Sequence, residues 1–143
     1  MTQEARLFRL IVLLRVAGSV LLFAFLAMCL PTEWMASTHR WLGLGEFPRA
    51  PIVVYLARSV AALYGFHGVL VLLVSSDPLR YRNVVWYLAA MNVLFGLMIL
   101  VIDIDAGMPL TWTLFEGPPV VAFGLLIAAL NASVTPVPDR DVV

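Results

Sequence analysis

The stretch VVWYLAAMNVLFGLMILVIDI, residues 84–104, decides the fold, because it is apolar almost throughout and meets its first charged residue only at Asp103. Its length matches the roughly 20 residues that an α-helix needs to cross a hydrocarbon core of about 30 Å. Three more runs of similar length and apolarity lie at residues 7–30, 51–74 and 110–130. The sequence therefore predicts an all-α, polytopic membrane protein, a four-transmembrane-helix bundle in a single membrane domain, 1–143.

The composition is typical of a protein that is surrounded mainly by lipid. Hydrophobic residues make up 62% of the chain and charged residues 13%, whereas the apolar share of a soluble domain is nearer to half. The formal net charge is +0 and the basic residues, all arginines, are scattered, so the lipid bilayer is an expected partner and nucleic acid is not. Cys29 is the sole cysteine, and no Cys/His cluster has ligand spacing. Neither a metal nor another cofactor is predicted.

A connector at residues 32–50 separates the first two runs and mixes aromatic side chains with polar ones such as His39. This pattern predicts a short interfacial helix, since tryptophans such as Trp34 and Trp41 favour the headgroup level of a membrane. An ordinary belt of interfacial aromatic residues is the alternative interpretation.

The fourth run is interrupted by Gly117-Pro118-Pro119 and is followed by a polar tail, 132–143. Each proline lacks an amide donor and frees a carbonyl one turn earlier, which predicts a broken or kinked helix. The alternative is a helix that starts at Pro118 and ends at Asn131. That helix would be only about 21 Å long, which is short for a bilayer. The first three spans are expected to be regular.

Loops and arginines together predict the topology. The turn Ser75-Ser76-Asp77-Pro78 is so short that the second and third spans are expected to be antiparallel neighbours. Cytoplasmic loops retain an excess of basic residues. The larger group of arginines at one end of the bundle is Arg6, Arg9, Arg15, Arg80, Arg82 and Arg140, against Arg40, Arg49 and Arg58 at the other. Both termini are therefore expected in the cytoplasm, with the protein in a bacterial-type inner membrane.

Three ionisable residues inside the spans are the primary candidate site, because a charge in hydrocarbon is costly. Arg58 lies about 10 Å into the second span, and Asp103 and Glu116 lie toward the same end of the bundle. The alternative for Arg58 is that its long side chain reaches the headgroup level, although an acidic partner would satisfy the charge better. Helical spacing places Asp103 on one face with Asn92, toward the bundle interior, and turns Asp105 to the surface. A polar network of Arg58, Asp103 and Glu116 is predicted, either structural or part of a ligand or proton site.

Secondary candidates are the polar side chains Tyr64, His67, Asn92 and His39. A histidine within a span, such as His67, can relay protons, although a packing histidine held by hydrogen bonds is the alternative. Close helix approach is expected at the small residues, namely Gly65, Gly68, Gly96 and the pair Ala89-Ala90.

The chain also resembles a known group of bacterial membrane proteins. The residues that carry the resemblance are Arg15-Val16-Ala17-Gly18, Pro31 followed by Trp34-Met35, and Ala62-Leu63-Tyr64-Gly65 leading to Ser76-Asp77-Pro78-Leu79-Arg80-Tyr81-Arg82. They are similar to motifs of the small four-helix families grouped as DoxX-like, over about the first two thirds of the chain. The resemblance implies a four-helix fold and no particular activity.

Three functions are compatible with the sequence. A non-catalytic structural or accessory subunit, which packs against other membrane-protein subunits or against copies of itself, is favoured because no catalytic signature is present. A small transporter or channel with a polar site at Arg58, Asp103 and Glu116 is the first alternative. A membrane-embedded lipid-modifying enzyme, with Glu116 or His67 as acid or base, is the second, and it lacks an evident second catalytic group. No catalytic residue is assigned.

Overall fold

The computed structural model describes residues 2–135, which form six helices. These are α1 (Gln3–Leu22), α2 (Ala24–Cys29), α3 (Thr32–Trp41), α4 (Pro51–Ser75), α5 (Arg82–Asp105) and α6 (Leu110–Ser133). Four stretches are long and apolar enough to cross a membrane, with α1 and α2 together forming the first of them. The predicted fold class is confirmed, and the span boundaries agree within a few residues. Arg140 and most of the predicted polar tail, residues 136–143, lie outside the described residues.

The fourth span is a continuous helix. α6 passes through Pro118 and Pro119 without ending, so a break at Gly117-Pro118-Pro119 and a helix that starts at Pro118 are both wrong, whereas the kink stays a prediction. The reason is the packing of Gly117, whose backbone lies directly against Gly96 of α5. A neighbouring helix in such close contact holds the backbone in place where two hydrogen bonds are missing.

The interruption lies instead in the first span, at Phe23, between α1 and α2. The Phe23 N–H donates to the Val20 carbonyl three residues earlier, at 3.1 Å, which is the tighter turn of a 3₁₀-helix. Beyond this turn the ring of Phe25 lies over Gly65 of α4 and meets the ring of Phe66 edge-on, with centroids 5.2 Å apart. The tightened turn therefore precedes the packing of α2 onto α4.

The spans pack as two helical hairpins, α1–α2 with α4 and α5 with α6. In the first hairpin, a Cβ added to Gly68 would lie 2.8 Å from the Gly18 carbonyl oxygen. In the second, a Cβ added to Gly96 would lie 2.7 Å from the Gly117 carbonyl oxygen. Such contacts are possible only without side chains, and they give each hairpin a seam of touching backbones.

The short turn between spans two and three predicted that α4 and α5 pack against each other. This prediction is wrong for their main contacts. Each of these helices packs most extensively against its hairpin partner, because its glycines face that partner. The close helix approach predicted at Gly68, Gly96 and Ala89 is confirmed, whereas Gly65 lies against the ring of Phe25 and Ala90 is exposed.

The two hairpins join at the end of the bundle where α1 begins and α6 ends, which we call the terminal end. An apolar core fills this end and consists of Leu10, Leu14, Val71, Val74, Val85, Leu88, Ala89 and Ile127. Arg82 ties the start of α5 to the end of α6 at this terminal end. Its guanidinium donates to the Val134 carbonyl at 2.6 Å and to the Asn131 carbonyl at 3.1 Å. Gln3 and Thr135 form two hydrogen bonds. The Gln3 Nε2 amide donates to the Thr135 carbonyl oxygen at 2.9 Å, and the Thr135 hydroxyl donates to Gln3 Oε1 at 2.6 Å.

The opposite end, which we call the connector end, carries α3 and the loop that follows it. The loop folds back on α3, since His39 Nδ1 lies 3.0 Å from the Gly45 carbonyl oxygen and its ring meets Phe47 edge-on. Gly45 has a φ of 84°, a left-handed conformation that favours glycine. The predicted short helix is confirmed as α3. Its two tryptophans, Trp34 and Trp41, are exposed, and its position at the membrane surface stays a prediction.

Candidate functional site

Arg58 lies on the outer surface of α4, toward the connector end. Its side chain extends to the end of α2, where Nη2 donates to the Leu30 carbonyl oxygen at 3.3 Å. Beside it a surface cavity of about 560 Å³ opens between α2 and α4, and its walls include Met28, Tyr55 and Ser59. Tyr55 and Ser59 are exposed, as is Arg58 itself. The structure therefore places a charge and two hydroxyl groups on the outside of a membrane span.

Asp103 and Glu116 lie together at the connector end of the second hairpin. The Asp103 side chain is buried, with 5% of the residue exposed, and its Oδ2 atom has no hydrogen-bond partner in the described part of the chain. Glu116 is half-buried and close enough to Asp103 for the two carboxylates to interact electrostatically. Asp105 is exposed, so the orientations predicted for Asp103 and Asp105 from helical spacing are confirmed.

Glu116 also forms part of a second cavity, of about 350 Å³, at the connector end of α6. The other walls are Thr111, Trp112 and Phe115 of α6 and Leu42 from the connector. Trp112 stands one helical turn before Glu116, on the same face. It was missed in the sequence, although the spacing of four residues between an aromatic ring and a carboxylate is the signal that would have identified it.

The predicted three-residue network is only partly assembled. Among residues 2–135 the single ion pair is the exposed one of Arg40 with Glu46, at 3.7 Å, so Arg58 is not ion-paired with Asp103 or Glu116. The cause is geometric, because Arg58 reaches outward to the end of α2 whereas Asp103 is enclosed at the end of α5. The functional role of these residues stays a prediction.

The secondary candidates lie deeper or in the connector. Tyr64 is half-buried and meets Phe95 of α5 edge-on, with centroids 6.4 Å apart, so it links the two hairpins. His67 is half-buried, one helical turn from Val71 of the core. Asn92 donates from Nδ2 to the Leu88 carbonyl of its own helix at 2.8 Å. Asn92 therefore has a local structural bond, as His39 has in the connector.

Comparisons of the chain with protein-family models, with curated proteins and with solved structures give no match. The resemblance to the DoxX-like families stays a prediction. Among the described residues no three His, Cys, Asp or Glu side chains come together as possible metal ligands.

The separation of Arg58 from Asp103 gives a testable prediction. The changes in melting temperature caused by Arg58→Leu and Asp103→Asn should add in the double variant, because residues without a shared partner contribute independently. We expect a coupling energy below about 0.5 kcal/mol in a double-mutant cycle measured by thermal unfolding in detergent. A coupling above about 1.5 kcal/mol would reveal an ion pair between them and would contradict the described geometry.

Proposed function

We propose that this multi-pass protein is a non-catalytic accessory subunit that packs against another membrane protein through the groove between α2 and α4. The arginine distribution supports an arrangement with both termini in the cytoplasm, in a bacterial-type inner membrane. In that arrangement the groove, lined by Met28, Tyr55, Arg58 and Ser59, opens toward the outer leaflet.

The observation that carries this proposal is the incomplete satisfaction of Arg58. A guanidinium has five N–H donors, and the Leu30 carbonyl accepts from one of its nitrogens. About 10 Å into a span, donors without acceptors are unfavourable, because hydrocarbon offers none. A neighbouring helix that supplies a carboxylate or a carbonyl to the groove would satisfy them. Charged residues within spans are typically paired in this way.

The other two functions receive less support. The core that fills the terminal end, from Leu14 on α1 to Leu88 on α5, stands in the way of a path through a single bundle, so a transporter would need either an opening or a larger assembly. For a lipid-modifying enzyme, the acidic neighbour of Glu116 is Asp103, a second carboxylate that is itself buried. Both alternatives stay predictions.

Copurification in a gentle detergent, read out by quantitative mass spectrometry, tests the subunit proposal. We expect a stoichiometric membrane-protein partner with the wild-type chain and at least about a fivefold lower yield of it with Arg58→Leu, since hydrogen bonds to a charged group contribute about 1.5–3 kcal/mol. Arg15→Leu is the matched control, because Arg15 is likewise an exposed arginine within a span. It lies in the half nearer the terminal end.

A photocrosslink locates the contact independently. A photoreactive residue at Ser59, inside the groove, should crosslink to the copurified partner, whereas one at Met98, exposed on α5, should not. The proposal fails if no stoichiometric partner is found, if Arg58→Leu retains it, or if the two positions crosslink equally.

A further inference from the structure

We propose that the cavity at the connector end of α6 binds a hydrophobic organic cation, an ammonium group that carries apolar substituents, between Glu116 and the rings of Trp112 and Phe115. The inference does not depend on the proposed subunit function, because the cavity lies on α6 and the subunit groove lies between α2 and α4.

The charge of the ligand follows from the surroundings of Asp103 and Glu116. Two neighbouring carboxylates in a membrane span repel each other, and no arginine pairs with either of them among the described residues. Asp103 is 95% buried by residue area, and its Oδ2 atom has no hydrogen-bond partner within residues 2–135. A buried charge without a partner is strongly unfavourable. A cation bound in the cavity would lie beside Glu116, the carboxylate of its wall, and would reduce the repulsion between Glu116 and Asp103.

The ends of the helices contribute to the same field. Asp103 lies in the last turn of α5 (Arg82–Asp105), at the negative end of the helix dipole, which favours cations. Glu116 lies beyond the first turn of α6 (Leu110–Ser133). The positive end of that helix therefore has little effect at its carboxylate, because the dipole field fades within one turn.

The chemical class follows from the walls of the cavity. Beside the Glu116 carboxylate stand an indole, Trp112, and a phenyl ring, Phe115, together with Leu42. Aromatic faces attract cations through their quadrupole, most strongly for Trp. Small inorganic cations such as Mg²⁺ and Ca²⁺ prefer a full shell of about six or more oxygen ligands, whereas the side chains of this wall offer only the Glu116 carboxylate and the Thr111 hydroxyl. A bulky, weakly hydrated ammonium ion matches both the charge and the aromatic surface.

The size and position of the cavity fit such a ligand. Its volume of about 350 Å³ falls within the range of small-molecule sites, roughly 300–1,000 Å³. Glu116 lies about 9 Å along α6 from Leu110 at 1.5 Å per residue, so a ligand that enters from the headgroup level would reach the carboxylate with its apolar groups directed toward hydrocarbon.

The test compares two probes of nearly equal shape, the benzyltrimethylammonium ion and its neutral carbon analogue neopentylbenzene. Binding to the full-length protein in lipid nanodiscs is followed by the quenching of tryptophan fluorescence and by calorimetry. We expect saturable binding of the cation and at least about tenfold weaker binding of the neutral analogue. Equal affinity for both probes, or no saturable binding of the cation, would overturn the proposal.

Variants assign the binding to the cavity. Glu116→Gln should weaken the binding of the cation at least about tenfold and Trp112→Leu at least about threefold, because they remove the carboxylate and one aromatic face. Asp105→Asn is the matched control, since Asp105 is an exposed carboxylate near the same end and its loss should leave affinity unchanged. The melting temperature of each unliganded variant verifies that it is folded. Unchanged affinity in Glu116→Gln would overturn the assignment.

A second copy of the chain could supply the cation as a guanidinium, from the Arg58 of a neighbouring molecule. In that case the wild-type protein would not bind the probe, whereas Arg58→Leu would bind it and would lose its oligomeric state in size-exclusion chromatography with light scattering. This outcome would overturn the proposal of a free ligand and would assign the cavity to an interface between copies.

Discussion

Gly96→Val should prevent the second hairpin from forming its native contact. The first added carbon would lie 2.7 Å from the Gly117 carbonyl oxygen and 2.8 Å from the backbone nitrogen of Val121. Because both of these are backbone atoms of α6, rotation of a side chain cannot relieve the clash, so α5 and α6 must separate. We expect destabilisation of about 3 kcal/mol or more, measured as a large fall in melting temperature or as loss of the folded fraction in detergent.

Ala90→Val is the control for this substitution, because Ala90 lies on the same helix and is exposed. It should change the melting temperature little. Gly96→Ala should fall between the two, since its single added carbon already meets the backbone of α6. If Gly96→Val melted like the wild-type protein, the backbone contact at Gly117 would not exist.

Arg82→Leu should produce the second largest loss of stability. The guanidinium donates to two carbonyls at the end of α6, those of Asn131 and Val134, and its charge lies at the negative end of that helix. Hydrogen bonds from a charged donor contribute about 1.5–3 kcal/mol each and do not add fully, so we expect a loss of about 2–4 kcal/mol in thermal or denaturant unfolding.

Arg80→Leu provides the comparison two residues away. Arg80 is exposed and stands 5.6 Å from the ring centre of Tyr81, a contact whose removal should cost less than about 1 kcal/mol. Arg82→Lys should recover part of the stability, since it keeps the charge but not the forked pair of donors. Equal effects of Arg80→Leu and Arg82→Leu would show that charge alone matters at this end.

The number, type and length of the spans could be predicted because a helix that crosses the bilayer needs roughly 20 apolar residues in a row, and such runs are visible in the sequence. The orientation of Asp103 could be predicted for a related reason, since the period of a single helix relates it to Asn92. Both properties belong to one helix at a time. Neither requires knowledge of which helices touch.

The pairing of the spans could not be predicted, because it depends on which small residues meet across an interface. Gly117 looked like part of a helix break beside two prolines, yet it is the contact point that keeps α6 continuous against Gly96. Likewise, Arg82 was counted only as a basic residue of a cytoplasmic loop, although its side chain donates a hydrogen bond to the end of α6. Such contacts join residues far apart in sequence, and no local pattern records them.

At the candidate site, too, the position of a residue within its span could be predicted, whereas its contacts with other helices could not. Asp103 and Glu116 were singled out as ionisable residues within spans, and the structure places both at the connector end of the second hairpin. Arg58 was singled out for the same reason, but the direction of its long side chain depends on α2, whose end provides the Leu30 carbonyl. A long side chain can reach several partners from one backbone position, so the helical period alone does not determine its contacts.

The bonds at the terminal end also determine when the bundle can close during synthesis. The carbonyls that accept from Arg82 lie 49 and 52 residues later in the chain, and Thr135, the partner of Gln3, lies 132 residues later, so all of them are synthesised after the donor. The first hairpin can form its glycine seam as soon as α4 has been made. Leu10 and Leu14, however, keep an uncovered apolar face until α5 and α6 arrive. A chain that ended before residue 131 would therefore lack both acceptors of the Arg82 guanidinium, and the terminal end of the bundle would not close.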